Sequence, residues 1–323
     1  MADYRPSEIY FNDIHLPLPI FFPSISSLKT NLKVLDYINF INAYAPINNK
    51  VLISAFDINY NMPNIDSKNI LINLKKNGLI ILLDSGNYES FWLKSTMKWH
   101  DELFYQVAND INYNLIFSYD KLPEGLNNYT HTNNIIKQFI KDRKNINNGY
   151  IIPIIHANKE YLPIICKKVA KDTKTKMLAI PERILGADIV ERFNTIKKIR
   201  STLNTMNNYI AIHLLGTGSP ISIALYTLAG ADSFDGLEWC RRVVDYDTGY
   251  LHHISLSSFF INSDILSSNM SMHAKVLAHN IEFYNNFMAN IHLSLIENNL
   301  EYFCKKFFPI EIISKCESLK LWR

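Results

Sequence analysis

Apolar runs recur along the chain and alternate with stretches of helical periodicity. The segments LPIFFPS (18–24), VLISAF (51–56), YNLIFSYD (113–120), YIIPIIHA (150–157) and KMLAIPE (176–182) read as short, buried strands. GLIILLDSGNYES (78–90) is a further strand running into a glycine turn. Residues 66–76, 98–110, 131–145, 159–171 and 187–203 carry the three-to-four-residue spacing of helices packed on one side. Residues 209–242 show the same plan in compressed form. An apolar strand (209–215) meets a turn at Gly216 and Gly218, and Ser219-Pro220 supplies an N-cap and a first helical position. The short helix closes at Gly230, and 231–234 is extended again, presenting Asp232 and Asp235 on either side of Phe234.

About eight strands separated by helices predict a parallel α/β architecture. Eight favours a closed (β/α)8 TIM-type barrel over an open sheet, in one domain spanning 1–323. After Cys240 the alternation stops. Residues 272–298 predict one long helix packed on the barrel through Val276, Leu277, Ile281, Phe283, Phe287 and Met288, within a helical C-terminal extension from about 270 to 323.

Composition narrows the possible functions. Hydrophobic residues make up 48% and charged residues 20% of the 323, and the net charge of +3 permits a polyanionic partner without demanding one. The four cysteines, at 166, 240, 304 and 316, form no CxxC or CxC pair, which argues against a disulfide framework or a cysteine-rich zinc site. The N-terminus lacks the pattern of a signal peptide, and no apolar run approaches the roughly 18 residues of a membrane span, so a cytoplasmic protein is expected. Neither a dinucleotide glycine fingerprint nor a GxxxxGK[ST] phosphate loop is present.

The acidic residues are ordered. Asp84, Asp120, Glu182, Asp232 and Asp235 each fall at or just beyond the end of an apolar strand, and in a barrel those ends converge on one face. Any one of them could cap the following helix. Several together are hard to explain as stabilising, because clustered carboxylates repel and raise each other's pKa. Two carboxylates around one sugar centre are what glycosidic-bond chemistry requires, one to attack C1′ and one to manage protons at the departing group.

Leu83-Asp84-Ser85-Gly86-Asn87-Tyr88-Glu89 resembles the DSGGFQ motif of the tRNA-guanine transglycosylase superfamily. Gly230-Ala231-Asp232-Ser233-Phe234-Asp235 resembles its G-x-D-x-F-D nucleophile segment, and Leu215–Pro220 its L-x-G-x-G-x-P turn. Pro19–Lys29 is similar to its P-x-F-x-P segment, and His279–Tyr284 to a late H-N-x-x-F-Y helix. The five motifs occur in order from about residue 17 to 290.

The resemblance implies Asp235 as a nucleophile that displaces guanine and forms a glycosyl-enzyme ester, with Asp84 transferring the proton. It implies Asp120 as the reader of the guanine N1 and 2-amino edge, and it puts His156 where the family has a base-binding glutamine. Ala179 and Ile180 correspond to a segment lining the base pocket, Gly216 and Gly218 to the substrate-binding turn, and Asp232 to a pocket or supporting residue. The bland alternative for His156 is a satisfied strand-end histidine.

The departures are as informative. His279 matches the histidine of the family's zinc site, yet no CxCxxC precedes it; Cys240, His252, His253 and His273 are the available substitutes, and loss of the metal is expected. Gly236–Arg242 replaces the family's usual substrate-binding run. Together with Ala179–Arg183 and the short chain, it looks more like the branch that inserts 7-deazaguanines into DNA. The expectation is therefore exchange of DNA guanine for a preQ0-like base, without a cofactor, with DNA and possible partner proteins of a DNA-modification system. The alternatives are exchange into tRNA and a catalytically silent partner subunit. Arg241, Arg242, Lys29 and Arg183 are candidate phosphate contacts. Leu237 and Trp239 are candidate apolar neighbours of a sugar that lacks the 2′-hydroxyl.

Overall fold

A computed structural model describes residues 5–11, 14–28, 30–44, 48–62, 65–93, 99–120 and 128–322. Eight parallel strands form its centre: β1 (Ile20–Ile25), β2 (Lys50–Ser54), β3 (Ile80–Asp84), β4 (Leu115–Phe117), β5 (Tyr150–Ile152), β6 (Met177–Pro181), β7 (Ala211–Leu215) and β8 (Ser233–Gly236). They are hydrogen-bonded in the order β5-β4-β3-β2-β1-β8-β7-β6. The remaining gap, between β5 and β6, is bridged at Ile154 and Ala179. There the Ile155 N–H donates to the Ala179 carbonyl (2.8 Å) and the Ala179 N–H to the Pro153 carbonyl (3.0 Å). The expected eight-stranded barrel with a helical extension is the observed fold.

Each strand divides its side chains by parity, because successive residues point to opposite faces. Phe21, Val51, Ile53, Ile81, Leu83, Ile116, Leu178, Ile180, Ile212, Leu214 and Phe234 belong to the outer core beneath the helices. Ile20, Phe22, Leu52, Leu82, Leu115, Phe117, Ile152, Met177, Ala179 and Ala211 fill the barrel interior. A hairpin pairing Glu8–Phe11 with Ile14–Pro17 closes the amino-terminal end, adding Ile9, Phe11 and Leu16 to that inner core. No sequence signal had distinguished this hairpin.

Most helices lie where periodicity puts them. The helix expected over 187–203 runs from Ile189 to Leu203, and the Asp188 side chain caps it by accepting from the Glu191 N–H (2.8 Å). The long late helix runs from Met272 to Ile296, with all six of its expected contact residues buried. Tyr284 of that helix stacks on Phe21 of β1, ring centroids 4.5 Å apart. Two expectations shift. The strand expected over 51–56 ends at Ser54, and a helix (Ala55–Asn61) follows at once. A second helix (Asn87–Leu93) starts directly after the glycine turn at Gly86. Among the described residues no helix is long and apolar enough to cross a membrane.

Candidate active site

The parity that fills the barrel also builds the site. Two residues beyond the inward side chains Phe22, Leu52, Leu82, Ile154 and Ala179 come Ser24, Ser54, Asp84, His156 and Pro181, and β8 contributes Asp235. The inner core therefore changes from apolar to polar within one layer, at the carboxyl-terminal mouth. All six of these residues line one cavity of about 420 Å³, a volume that accommodates a purine base.

Asp235 is buried and held by three groups. Its Oδ1 accepts from the Gly216 N–H (3.0 Å) and lies 3.1 Å from Nε2 of His213, while Oδ2 accepts from the Ser24 hydroxyl (2.8 Å). The His213 ring is itself oriented by Ser233, with Nδ1 2.7 Å from the hydroxyl oxygen. Gly216 has φ of +78°, a left-handed conformation that glycine adopts without strain, and this aims its N–H at the carboxylate.

Asp84 has different surroundings. It accepts the Gly86 N–H (2.9 Å), and burial, reinforced by the nearby Asp120 and Asp235, pushes its pKa up to about 7. The turn behind it needs glycine: at φ +81°, a Cβ on Gly86 would lie 2.6 Å from the Phe56 backbone nitrogen. Asp120 also lines the cavity, its Oδ1 2.6 Å from Nε2 of His156, which lines it too. The Asn87 side chain bonds the Asp120 carbonyl.

A second acidic layer escaped sequence reasoning. Glu89, on the helix after β3, lines the cavity at 3% exposure and accepts from the Ser26 hydroxyl (2.7 Å) and the Ser54 hydroxyl (3.0 Å). Burial, with Asp57 and Asp84 nearby, pushes it up to about 8. Glu238 also lines the cavity, against Gly218 and Gly236, and burial raises its pKa. The signal for Glu89 was its helix, which the glycine turn concealed. The signal for His213 was its inward parity in AIHLL.

Several sequence-predicted residues take other places. Asp232 is not in the pocket. It precedes β8, at the opposite end of the barrel, where its carboxylate pairs with Arg200 (2.8 Å) and Arg5 (2.9 Å) and accepts from the Tyr209 hydroxyl (2.6 Å). Trp239 cannot face a nucleotide. It is fully buried, its indole N–H donates to the Ser24 carbonyl (2.8 Å), and it packs edge-on against Tyr37. Ala179 and Ile180 do not line the cavity; the Ala179 side chain fills the inner core below it, its backbone closes the barrel, and Ile180 points outward. Gly218 sits behind Glu238, and its carbonyl accepts from the Tyr284 hydroxyl. Pro181 and Glu182 do line the cavity, but Glu182 is tied to Arg192 (2.8 Å) and to the Tyr226 hydroxyl (3.0 Å). Arg183 and Arg241 line the cavity, Arg242 does not and is exposed at the start of the following hairpin, and Lys29 lies outside the described residues.

The residues considered for zinc do not fit it. Both ring nitrogens of His279 are engaged by backbone, Nε2 with the Val244 carbonyl (2.8 Å) and Nδ1 with the Asn262 N–H (3.3 Å). His279 thereby fastens the hairpin of Arg242–Val244 and Leu251–His253 to the long helix. The Cys240 thiol donates to the Leu237 carbonyl, His253 caps Ser255, and His252 stacks on Phe260. Among the described residues no three His, Cys, Asp or Glu side chains converge as a metal site. No protein-family model matches the chain, and no curated protein matches it.

Proposed function

We propose that the protein is a pentosyltransferase, a DNA-guanine transglycosylase that exchanges guanine for a 7-deazaguanine base. The observation that carries this is the pairing of two carboxyl groups with unlike surroundings in one base-sized cavity. Asp235 faces three polar partners suited to a carboxylate acceptor, whereas Asp84 is pushed up to about 7 and holds a proton near neutrality. Titratable pairs whose environments are driven apart are how one site supplies both a nucleophile and an acid.

In the first half-reaction an Asp235 oxygen bonds to C1′ as the C1′–N9 bond breaks. Asp84 gives its proton to the departing guanine, which leaves neutral. In the second, the incoming base returns its ring N–H proton to Asp84 while that nitrogen displaces Asp235 from C1′. Protons and electron pairs balance, and one carboxyl serves as acid and then as base. Asp120 suits a guanine-like base because its Oδ1 is occupied by His156, while its other oxygen has no partner among the described residues to compete with the base's N–H donors.

DNA is favoured over tRNA by the departures in Gly236–Arg242 and by Leu237, an apolar side chain lining the cavity two residues beyond Asp235. A target base must leave its stack to reach C1′ chemistry inside the cavity. The test is incubation with guanine-labelled DNA and, separately, guanine-labelled tRNA in the presence of a 7-deazaguanine. Label should be lost from DNA, and Asp235→Asn should abolish the loss with the circular dichroism spectrum unchanged. Exchange at near wild-type rate in Asp235→Asn would remove the nucleophile, and exchange into tRNA alone would reassign the polymer.

A further inference from the structure

Phe91 and Trp92 are 58% and 48% exposed. Both sit on the helix Asn87–Leu93, directly beyond the Asp84 turn, and both line the mouth of the cavity. Their rings pack edge-to-face, centroids 5.5 Å apart at 86°, and Trp92 meets Tyr88 in the same manner at 6.3 Å. In each pair the edge of one ring meets the face of the other, which braces the rings against one another. By contrast Trp99 and Trp239 are 9% and 0% exposed and serve the core. The cavity lining also includes Arg183 and Arg241, neither of which makes an ion pair with another described residue. Aromatic rings and arginines around one opening are the parts of a single-strand nucleic-acid site, where bases stack on rings and cations follow the backbone.

We propose that Phe91 and Trp92 form a stacking platform for an unpaired base of the DNA strand next to the nucleotide whose base enters the cavity. The placement rests on the proposed exchange activity for what fills the cavity; the platform itself does not. Lifting a base into the cavity breaks its stacking with the neighbouring base, and an aromatic face at the lip replaces that lost contact. Stacking of this kind is indifferent to sequence, because every base has a π-face. The platform therefore sets which DNA can be used, opened or single-stranded over paired, without choosing the flanking sequence.

The test uses a short deoxythymidine oligonucleotide, which contains no guanine and so cannot undergo exchange. Titrated into the full-length protein, it should quench tryptophan fluorescence, and Trp92→Phe should remove most of the quenching while retaining binding. Phe91→Ala and Trp92→Ala should each weaken binding by about tenfold, within the range for one stacked base. Because the probe carries no guanine, its binding is read whether or not exchange occurs, which separates this result from the fate of the exchange activity. Should an alanine variant fail to fold by circular dichroism, Phe91→Tyr and Trp92→Phe should bind normally while Phe91→Leu and Trp92→Leu bind weakly. Unchanged affinity in the aliphatic variants would overturn the platform. A change in oligomeric state by light scattering, with affinity unchanged, would overturn it too, by assigning the aromatics to contact between two copies of the chain.

Discussion

Replacing Glu89 by Gln should make the protein more resistant to alkaline conditions. Glu89 is 3% exposed, bonded by Ser26 and Ser54, with Asp57 and Asp84 close enough to oppose its ionisation. An ordinary glutamate titrates near 4.5, whereas burial pushes Glu89 up to about 8. Between those two pH values the folded protein binds a proton that the unfolded chain has released. Stability must then fall as pH rises through that window, at up to about 1.4 kcal/mol per pH unit. Across pH 5 to 8 the loss from this one group is on the order of 4 kcal/mol. Glutamine has nearly the same shape, can bond both serines, and does not titrate. Urea unfolding followed by circular dichroism at pH 5, 6, 7 and 8 should therefore give nearly equal stabilities at pH 5. The profiles should diverge above it, with the variant the more stable by several kcal/mol at pH 8. Parallel wild-type and variant profiles would refute the reasoning, since they would mean that Glu89 is ionised throughout and that the cavity wall carries a full negative charge.

Asp120→Ala should relax discrimination between guanine-like bases and adenine more than it lowers stability, and competition between free bases in the exchange assay measures this; unchanged selectivity would mean another group reads that edge. Asp232→Ala should cost about 3–5 kcal/mol in urea unfolding, because it strips the partner from the buried guanidinium of Arg200 and leaves Arg5 unmatched. Loss of exchange with stability intact would return Asp232 to the site. Dialysis against a strong chelator should leave both the unfolding midpoint and oligonucleotide binding unchanged, because His279 is already committed to backbone partners.

The barrel was legible because its code is short-range. Eight apolar runs separated by helical periodicity leave few topologies, and acidic residues at the ends of those runs must meet if the sheet closes. Asp84, Asp120 and Asp235 were found that way, and the cavity unites them. Parity would have carried the reading further. In AIHLL, His213 shares its face with Ala211, and in FFPSI, Ser24 shares its face with Phe22, so both had to point toward Asp235. The same rule separates Asp232 from Asp235: an odd spacing puts them on opposite faces, and Asp232 precedes the strand. Trp239 was misplaced for a different reason. A tryptophan three residues after a strand end can turn outward or inward, and Trp239 is held inside by Tyr37 and the Ser24 carbonyl, some two hundred residues earlier. Glu89 and the amino-terminal hairpin were hidden similarly, since neither has a local periodicity that marks it.

Under the proposed function the cavity should not repel a nucleic acid, yet Asp84, Glu89, Asp120, Glu182, Asp235 and Glu238 all line it. The contradiction dissolves when each group's surroundings are followed. Burial raises Asp84, Glu89 and Glu238 toward their neutral forms. Glu182 is matched by Arg192, and Asp120 is held by His156. Asp235 has His213, Ser24 and the Gly216 N–H around it, and in the proposed mechanism it is seated where a developing positive charge at C1′ would be stabilised. The acids behind it hold the hydrogen bonds of a polar cavity without its full charge, and Arg183 and Arg241 bring positive charge to its lining. Neutral acids inside with cations at the cavity would let a polyanion approach while admitting only the uncharged base to the floor.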